Sequence, residues 1–249
     1  MQAENNTRYL LINPNTNGLT TQRLQEALLP RLPVHTRLDV ITASFGATYI
    51  ACEASHAIAA HACIASWAEY LQANKDPIDG ILIGCFGDPG LFALREMSGC
   101  PVTGLAEASF IQAAALGPFA IVTGGERWKP MLHRLANQLG FQNELVNIET
   151  VVPSGAELQA NPQMAIACLK TACQNASTQG VKSIILGGAG LAGYAASVQS
   201  MVDLPIIDSA TAGLAVLLNK EMPQVKTNGN GTFAKFTGMS SAIQALHQR

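Results

Sequence analysis

Short apolar runs alternate along the chain with longer stretches of helical period, and this alternation is the first sign of its fold. Residues 8–12 form an apolar run that predicts a strand, ending in the polar Asn13-Pro14-Asn15-Thr16-Asn17. Helical spacing follows over 19–29, and a short strand is predicted at 38–42. Residues 50–73 read as a helix, with Ile58 and Trp67 among its apolar positions. The run 80–83 predicts a strand that opens into Gly84-Cys85-Phe86-Gly87-Asp88-Pro89-Gly90. Further extended segments fall at 101–104, 119–122, 145–152, 183–186 and 204–207. Helices are predicted at 107–115, from about 128, and at 161–179, 209–218 and 240–247. Residues 223–231 read as a loop. Strand–helix alternation of this kind predicts an α/β fold with mainly parallel sheets.

The chain also repeats itself loosely. Ile81-Leu82-Ile83-Gly84-Cys85-Phe86-Gly87 is echoed 103 positions later by Ile184-Ile185-Leu186-Gly187-Gly188-Ala189-Gly190. Pro101-Val102-Thr103 returns as Pro205-Ile206-Ile207, and Leu10-Leu11-Ile12-Asn13 as Ala120-Ile121-Val122-Thr123. Each half thus offers strand, polar or Gly-rich loop and helix, then the same again. The expected architecture is two similar Rossmann-like lobes with parallel sheets, related by pseudo-two-fold symmetry, with a cleft between them. Residues 1–104 plus 209–249 would form the first lobe and 105–208 the second, the C-terminal helix crossing back to the first.

Composition narrows the class. Of 249 residues, 48% are hydrophobic and 13% charged, enough apolar material for a large core and against extended disorder. The net charge of -2 and the lack of a basic stripe argue against nucleic acid or an anionic membrane as partner. The polar N-terminus lacks a signal-peptide core, and no apolar run reaches the ~18 residues of a membrane span. Six cysteines with irregular spacing and no CxxC pair predict free thiols and a cytoplasmic location. Cys52 and His56 share one helical face, but His61 and Cys63 point elsewhere, and one helix does not close a tetrahedral site, so no metal is expected. Neither GxGxxG at the first βα turn, nor a Walker A loop, nor a GxSxG elbow occurs.

Ligands of open α/β sheets bind beyond the carboxyl ends of the strands. Four predicted strand ends carry Asn13, Cys85, Thr123 and Gly188. Glycines there let backbone N–H groups approach a ligand, and following helix N-termini favour a carboxylate or oxyanion. A small polar or anionic carbonyl compound is the natural guest. Cys85, placed after a strand and before a helix, is expected to have a lowered pKa and a sizeable thiolate fraction. The plain alternatives are glycines that only close tight turns and a cysteine packed beneath its loop. Cys52, Cys63, Cys168 and Cys173 lie in helical patterns where core packing is the default, and Cys100 precedes a proline.

Leu11-Ile12-Asn13-Pro14-Asn15-Thr16, Gly84-Cys85-Phe86-Gly87-Asp88-Pro89-Gly90-Leu91, Val122-Thr123-Gly124-Gly125 with Arg127-Trp128, and Leu186-Gly187-Gly188-Ala189-Gly190 resemble hydantoin racemase motifs, in order along nearly the whole chain. The resemblance is to the aspartate/glutamate/hydantoin racemase superfamily. It implies two α/β lobes with the active site in the cleft between them, no metal and no organic cofactor. It also implies proton transfer at a carbon next to a carbonyl, on a substrate such as a hydantoin or an amino acid. Cys85 matches the first of that family's two facing thiols, which the resemblance implies to be an acid/base thiol. The second thiol's position is Gly188 here, so ordinary two-thiol inversion lacks one partner. Asn13, Phe86, Gly87, Thr123, Gly124, Ala189 and Gly190 are the expected substrate-binding positions, and a homo-oligomer is the expected assembly. Several readings remain open at this point. A water or another side chain replaces the second acid; the chain is a one-thiol decarboxylase or cis-trans isomerase; or it is a catalytically impaired variant or a small-molecule binding protein.

Overall fold

A computed structural model describes residues 7–152, 157–158, 161–222 and 235–246. Its strands form two four-stranded sheets in which every pairing is parallel. The first holds β1 (Thr7–Asn13), β2 (Thr36–Thr42), β3 (Gly80–Ile83) and β4 (Val102–Gly104), in the order β2-β1-β3-β4. The second holds β5 (Phe119–Gly124), β6 (Leu145–Val151), β7 (Ser183–Gly187) and β8 (Ile206–Asp208), in the order β6-β5-β7-β8. The two orders are the same, so the loose sequence repeat corresponds to a repeated topology of two Rossmann-like units. Each sheet reverses its winding between its first and third strands, at β1/β3 and at β5/β7. Crevices at such switch points are where ligands of open parallel sheets bind.

The central strands read as unbroken apolar runs because both faces are covered. Leu10, Leu11, Ile12, Ile81, Leu82, Ile83, Ile121, Val122, Ile184 and Ile185 are all fully buried. The helices are α1 (Gly18–Leu28), α2 (Glu53–Ala73), α3 (Leu91–Ser98), α4 (Leu105–Ala114), α5 (Trp128–Leu139), α6 (Pro162–Ala176), α7 (Tyr194–Gln199), α8 (Ser209–Asn219) and α9 (Ser241–Ala245). Local chemistry sets several of their starts. The Asn17 side chain accepts from Leu19 N at 3.0 Å to open α1. Asn161 caps α6 with Pro162 in its first turn, and Asp208 accepts from the N–H groups of Ala210 and Thr211 to open α8.

Two helices tie the sheets together. α4 leaves β4 of the first sheet and packs on α8 and on β7 and β8 of the second. α8 leaves β8 and returns to pack on β3 and β4. The contact is close: a Cβ at Gly213 would stand 2.8 Å from Leu82 Cδ1, and one at Gly80 would stand 2.8 Å from Leu217 Cδ1. One buried cluster therefore runs from Ile12 and Leu82 through Leu105 and Phe110 to Phe119 and Ile185. Phe110 stacks on Phe119 with ring centres 5.5 Å apart. At the far end of the chain α9 lies on α2.

The departures from the sequence pattern are local. α2 begins at Glu53, not at 50, because Ser55 folds back on the backbone and accepts from Cys52 N and Ala51 N at 3.0 Å. Cys52 is thus a half-exposed helix cap, not a core thiol. The helix predicted at 161–179 stops at Ala176. The loop expected at 223–231 and residue 247 of the last predicted helix lie outside the described residues. Among the described residues no helix is long and apolar enough to cross a membrane.

Candidate active site

Parallel strand pairing aligns the loops that follow the switch-point strands. Ile12 pairs with Ile83, so Asn13 and Gly84 leave the first sheet side by side, and Gly84 N donates to Ile12 O at 2.8 Å. Thr123 pairs with Gly187, which sets Gly124 beside Gly188 at the end of the second sheet. Loops from both sheets meet around one cavity. Its walls include Cys85 and Phe86 from the loop after β3, Thr123 and Gly124 from the end of β5, and Gly188, Ala189 and Gly190 after β7. Its volume is about 60 Å3, on a scale where one water needs ~10–15 Å3, so a compact molecule of several heavy atoms fits.

Two of the expected residues stand behind this wall. Asn13 is fully buried, and its amide reaches Asn15 Oδ1 at 3.0 Å, Asn17 O at 3.1 Å and Thr21 Oγ1 at 2.8 Å. The amide thereby shapes the loop that presents Asn15, Asn17 and, at the start of α1, Thr20 to the cavity. Gly87 packs under Trp128: a Cβ there would approach the indole ring at 2.5 Å. Its carbonyl lies 2.8 Å from His56 Nε2, so His56 braces the Cys85 loop from α2 by donating to it. Trp128, Tyr49, Ile50 and Leu191 also line the cavity. Tyr49 and Ile50 come from the loop after β2; the sequence pattern had placed Ile50, but not Tyr49, in α2. The Tyr49 hydroxyl donates to Gly124 O at 3.2 Å across the two sheets. Arg23 of α1 makes a second cross-link, donating to Ala192 O at 3.0 Å with its guanidinium over the Tyr194 ring.

The electrostatics of Cys85 differ from expectation. Burial raises its pKa well above the ordinary thiol value, with the charges of Asp88 and Cys63 adding to the effect. The physical reason is distance along the chain. The helix after β3 begins only at Leu91, behind the Gly90 cap, so its N-terminus does not directly follow Cys85. The thiol with a lowered pKa is Cys52, held by hydrogen bonding to Ser55 at the start of α2.

Asp88 is buried next to this loop with φ +49°. Its carboxylate caps α4, accepting from Ala106 N at 2.9 Å and Glu107 N at 2.7 Å. Burial nevertheless pushes its pKa up to about 7. Behind it Arg95 donates to Val102 O and pairs with Glu107, which also accepts from Thr103 Oγ1 at 2.8 Å. The second sheet fixes its own loop with a different carboxylate: Asp208 accepts from Gly193 N at 2.6 Å, and Ser209 Oγ accepts from Gly188 N at 3.2 Å. Gly188 has φ +150° and ψ +134°. The three atoms nearest to a Cβ there all belong to Leu191, the closest at 3.4 Å.

No lining side chain among the described residues carries a formal charge. Polar contact comes from Asn15, Asn17, Thr20, Thr123 and Tyr49; apolar contact from Phe86, Trp128, Ile50 and Leu191. Cys85 and Tyr49 are the described lining side chains that titrate as weak acids.

Comparison with known proteins gives this geometry a relationship. The chain is 30% identical over 224 residues to a hydantoin racemase of Pseudomonas sp. (strain NS671), covering 87% of this chain and 89% of that one. It is 32% identical over 212 residues to a hydantoin racemase of Paenarthrobacter aurescens, covering 84% and 89%. Among solved structures, an allantoin racemase from Klebsiella pneumoniae superposes with a TM-score of 0.84 at 26% identity, covering 96% of this chain and 98% of that one. The family model for Asp/Glu/Hydantoin racemase matches residues 10–217, and the chain belongs to that family.

Proposed function

We propose that this isomerase acts on a neutral cyclic amide of the hydantoin or allantoin type, inverting a carbon next to a carbonyl, with Cys85 as the thiol on one face. The observation that carries the reading is Cys85 in a cavity at the strand ends whose described lining side chains bear no formal charge. A neutral ring enters such a site without leaving a charge unpaired. Phe86, Trp128, Ile50 and Leu191 offer an apolar surface to the ring's substituent, while Asn15, Asn17 and Thr123 offer polar contacts to its amide groups.

The chemistry follows from the groups at hand. As a thiolate, Cys85 removes the proton from the carbon, and the negative charge moves into the neighbouring carbonyl as an enolate. Backbone N–H groups of Phe86 and Ala189, which take no part in the hydrogen bonds that close the two loops, are suited to hold that oxygen. The raised pKa of Cys85 makes the thiol the resting form, so turnover draws on a minor thiolate fraction that grows with pH.

The test is deuterium uptake by one enantiomer of benzylhydantoin in heavy water. Cys85→Ser should abolish uptake with the thermal midpoint unchanged, and uptake at the unaltered rate rejects the role of Cys85. A second reading, a one-thiol decarboxylase, is favoured by the absence of a side chain at Gly188. Release of carbon dioxide from an arylmalonate distinguishes it. A homo-oligomer remains part of the proposal and is read by sedimentation.

A further inference from the structure

Inversion needs a proton delivered to the face opposite Cys85, and Gly188 has no side chain to deliver it. We propose that the Tyr49 phenol is the acid and base for that second face, so that the site works with a thiol and a phenol in place of two thiols. The inference rests on the reading of Cys85 given above.

Three observations carry it. Tyr49 lines the same cavity as Cys85 and, with it, makes up the weakly acidic side chains of the described wall. Both residues leave loops of the first sheet, but Cys85 stays beyond β3, whereas the Tyr49 hydroxyl crosses to the Gly124 carbonyl at the end of β5. That anchor also fixes where along the second sheet the hydroxyl stands. Thr123 pairs with Gly187, so Gly124 is the lateral neighbour of Gly188, one strand spacing of ~4.8 Å away. The phenol therefore reaches the edge from which a side chain at 188 would project, where the three atoms nearest to an added Cβ all belong to Leu191, none closer than 3.4 Å.

The step balances without any further reactant. Cys85 Sγ takes the proton, the C–H bond breaks, and its electron pair passes into the carbonyl. The pair returns to carbon as the Tyr49 O–H bond breaks and a new C–H bond forms on the opposite face. Cys85 is left as a thiol and Tyr49 as a phenolate. The opposite enantiomer uses the same pair in reverse, and exchange with water resets either state.

The experiment follows optical rotation and deuterium uptake together, on one enantiomer of benzylhydantoin in heavy water. The unaltered protein is expected to invert and exchange. Tyr49→Phe should lose ~10²–10⁴-fold in inversion while deuterium still enters with retained configuration, because Cys85 serves its own face alone. That surviving exchange also shows that the variant is folded. Cys85→Ser should lose both signals. Inversion by Tyr49→Phe within about threefold of the unaltered rate overturns the proposal, as does an equal loss of both signals. Exchange without inversion by the unaltered protein overturns it too and leaves the role of Cys85 standing. Neither signal from the unaltered protein removes both.

Discussion

Gly187→Ala tests whether the Phe86 ring, wedged between the β7 loop and the interior, holds the cavity open. A Cβ at Gly187 would overlap three atoms of that ring, two of them at 2.5 Å. Carbon atoms in ordinary contact stand ~3.5–4.0 Å apart, so the ring must retreat by roughly 1 Å. It has no room to do so inward. Phe86 meets Phe110 edge-on at 6.1 Å, and Phe110 is itself held by Phe119 and Phe141. The remaining direction is into the cavity beside Cys85. Forcing one carbon into a packed core costs ~1–3 kcal/mol. At ~2–4 °C per kcal/mol for a chain of this size, the thermal midpoint should fall by roughly 2–12 °C. Deuterium uptake should fall with it, as the ring encroaches on the substrate. Gly18→Ala serves as the control, because a Cβ there meets nothing within 4 Å. A midpoint for Gly187→Ala within 1 °C of the unaltered protein, with full uptake, would refute the argument.

Three further outcomes are expected. Asp88 has a folded pKa of about 7 against an ordinary 3.8, so between about pH 4 and 7 the folded state keeps a proton that the unfolded chain releases. Its contribution to stability therefore declines as pH rises through that window, by at most ~1.4 kcal/mol per pH unit, and is at its most favourable below it. Urea titrations should show Asp88→Asn losing this slope; an unchanged slope contradicts the assignment. The same substitution should shift the Cys85 limb of the pH–rate profile to lower pH, since the Asp88 charge helps to raise that thiol. Glu107→Gln strips the buried Arg95 of its counter-charge and should cost ~3–5 kcal/mol in urea unfolding, with less than 1 kcal/mol counting against a structural role for the pair. Gly188→Cys must accommodate φ +150° and should lose ~1–3 kcal/mol without faster inversion while Tyr49 is present; a gain in inversion means that the second proton was undersupplied.

Buried parallel strands announce themselves as apolar runs, which is why 80–83 and 183–186 could be placed from sequence to within a residue. Their following loops were legible for the same reason, since Cys85 and Gly188 simply come next. Other parts were not. α3 and α7 are eight and six residues long, too short to show a helical period, and each opens on a glycine with positive φ. The start of α2 was obscured because its cap is a cysteine, not one of the usual Ser, Thr, Asp or Asn caps, and that error hid Ile50 inside a presumed helix, while Tyr49 fell in a stretch that showed no periodic pattern. Asn13 was rightly singled out as polar at a strand end. Whether such a side chain faces a ligand or its own loop depends on hydrogen-bond partners that sequence order does not reveal. The pKa of Cys85 depends first on its burial and then on the charge of Asp88, both properties of three-dimensional placement.

The crossed helices α4 and α8 bear on how this chain came to be one piece. Each is supplied by one half and spent on the other: Gly213 of α8 lies against Leu82 of β3, and α4 rests on β7 and β8. A gene cut between residues 117 and 118 would yield two polypeptides, each stripped of the helix that covers its sheet and exposing apolar strand faces to water. The halves look alike, yet neither is a self-sufficient unit. The exchange of helices also makes a wide hinge opening costly, since parting the sheets means prising α4 and α8 off both. Substrate must therefore enter past the loops that line the cavity, Tyr49 among them.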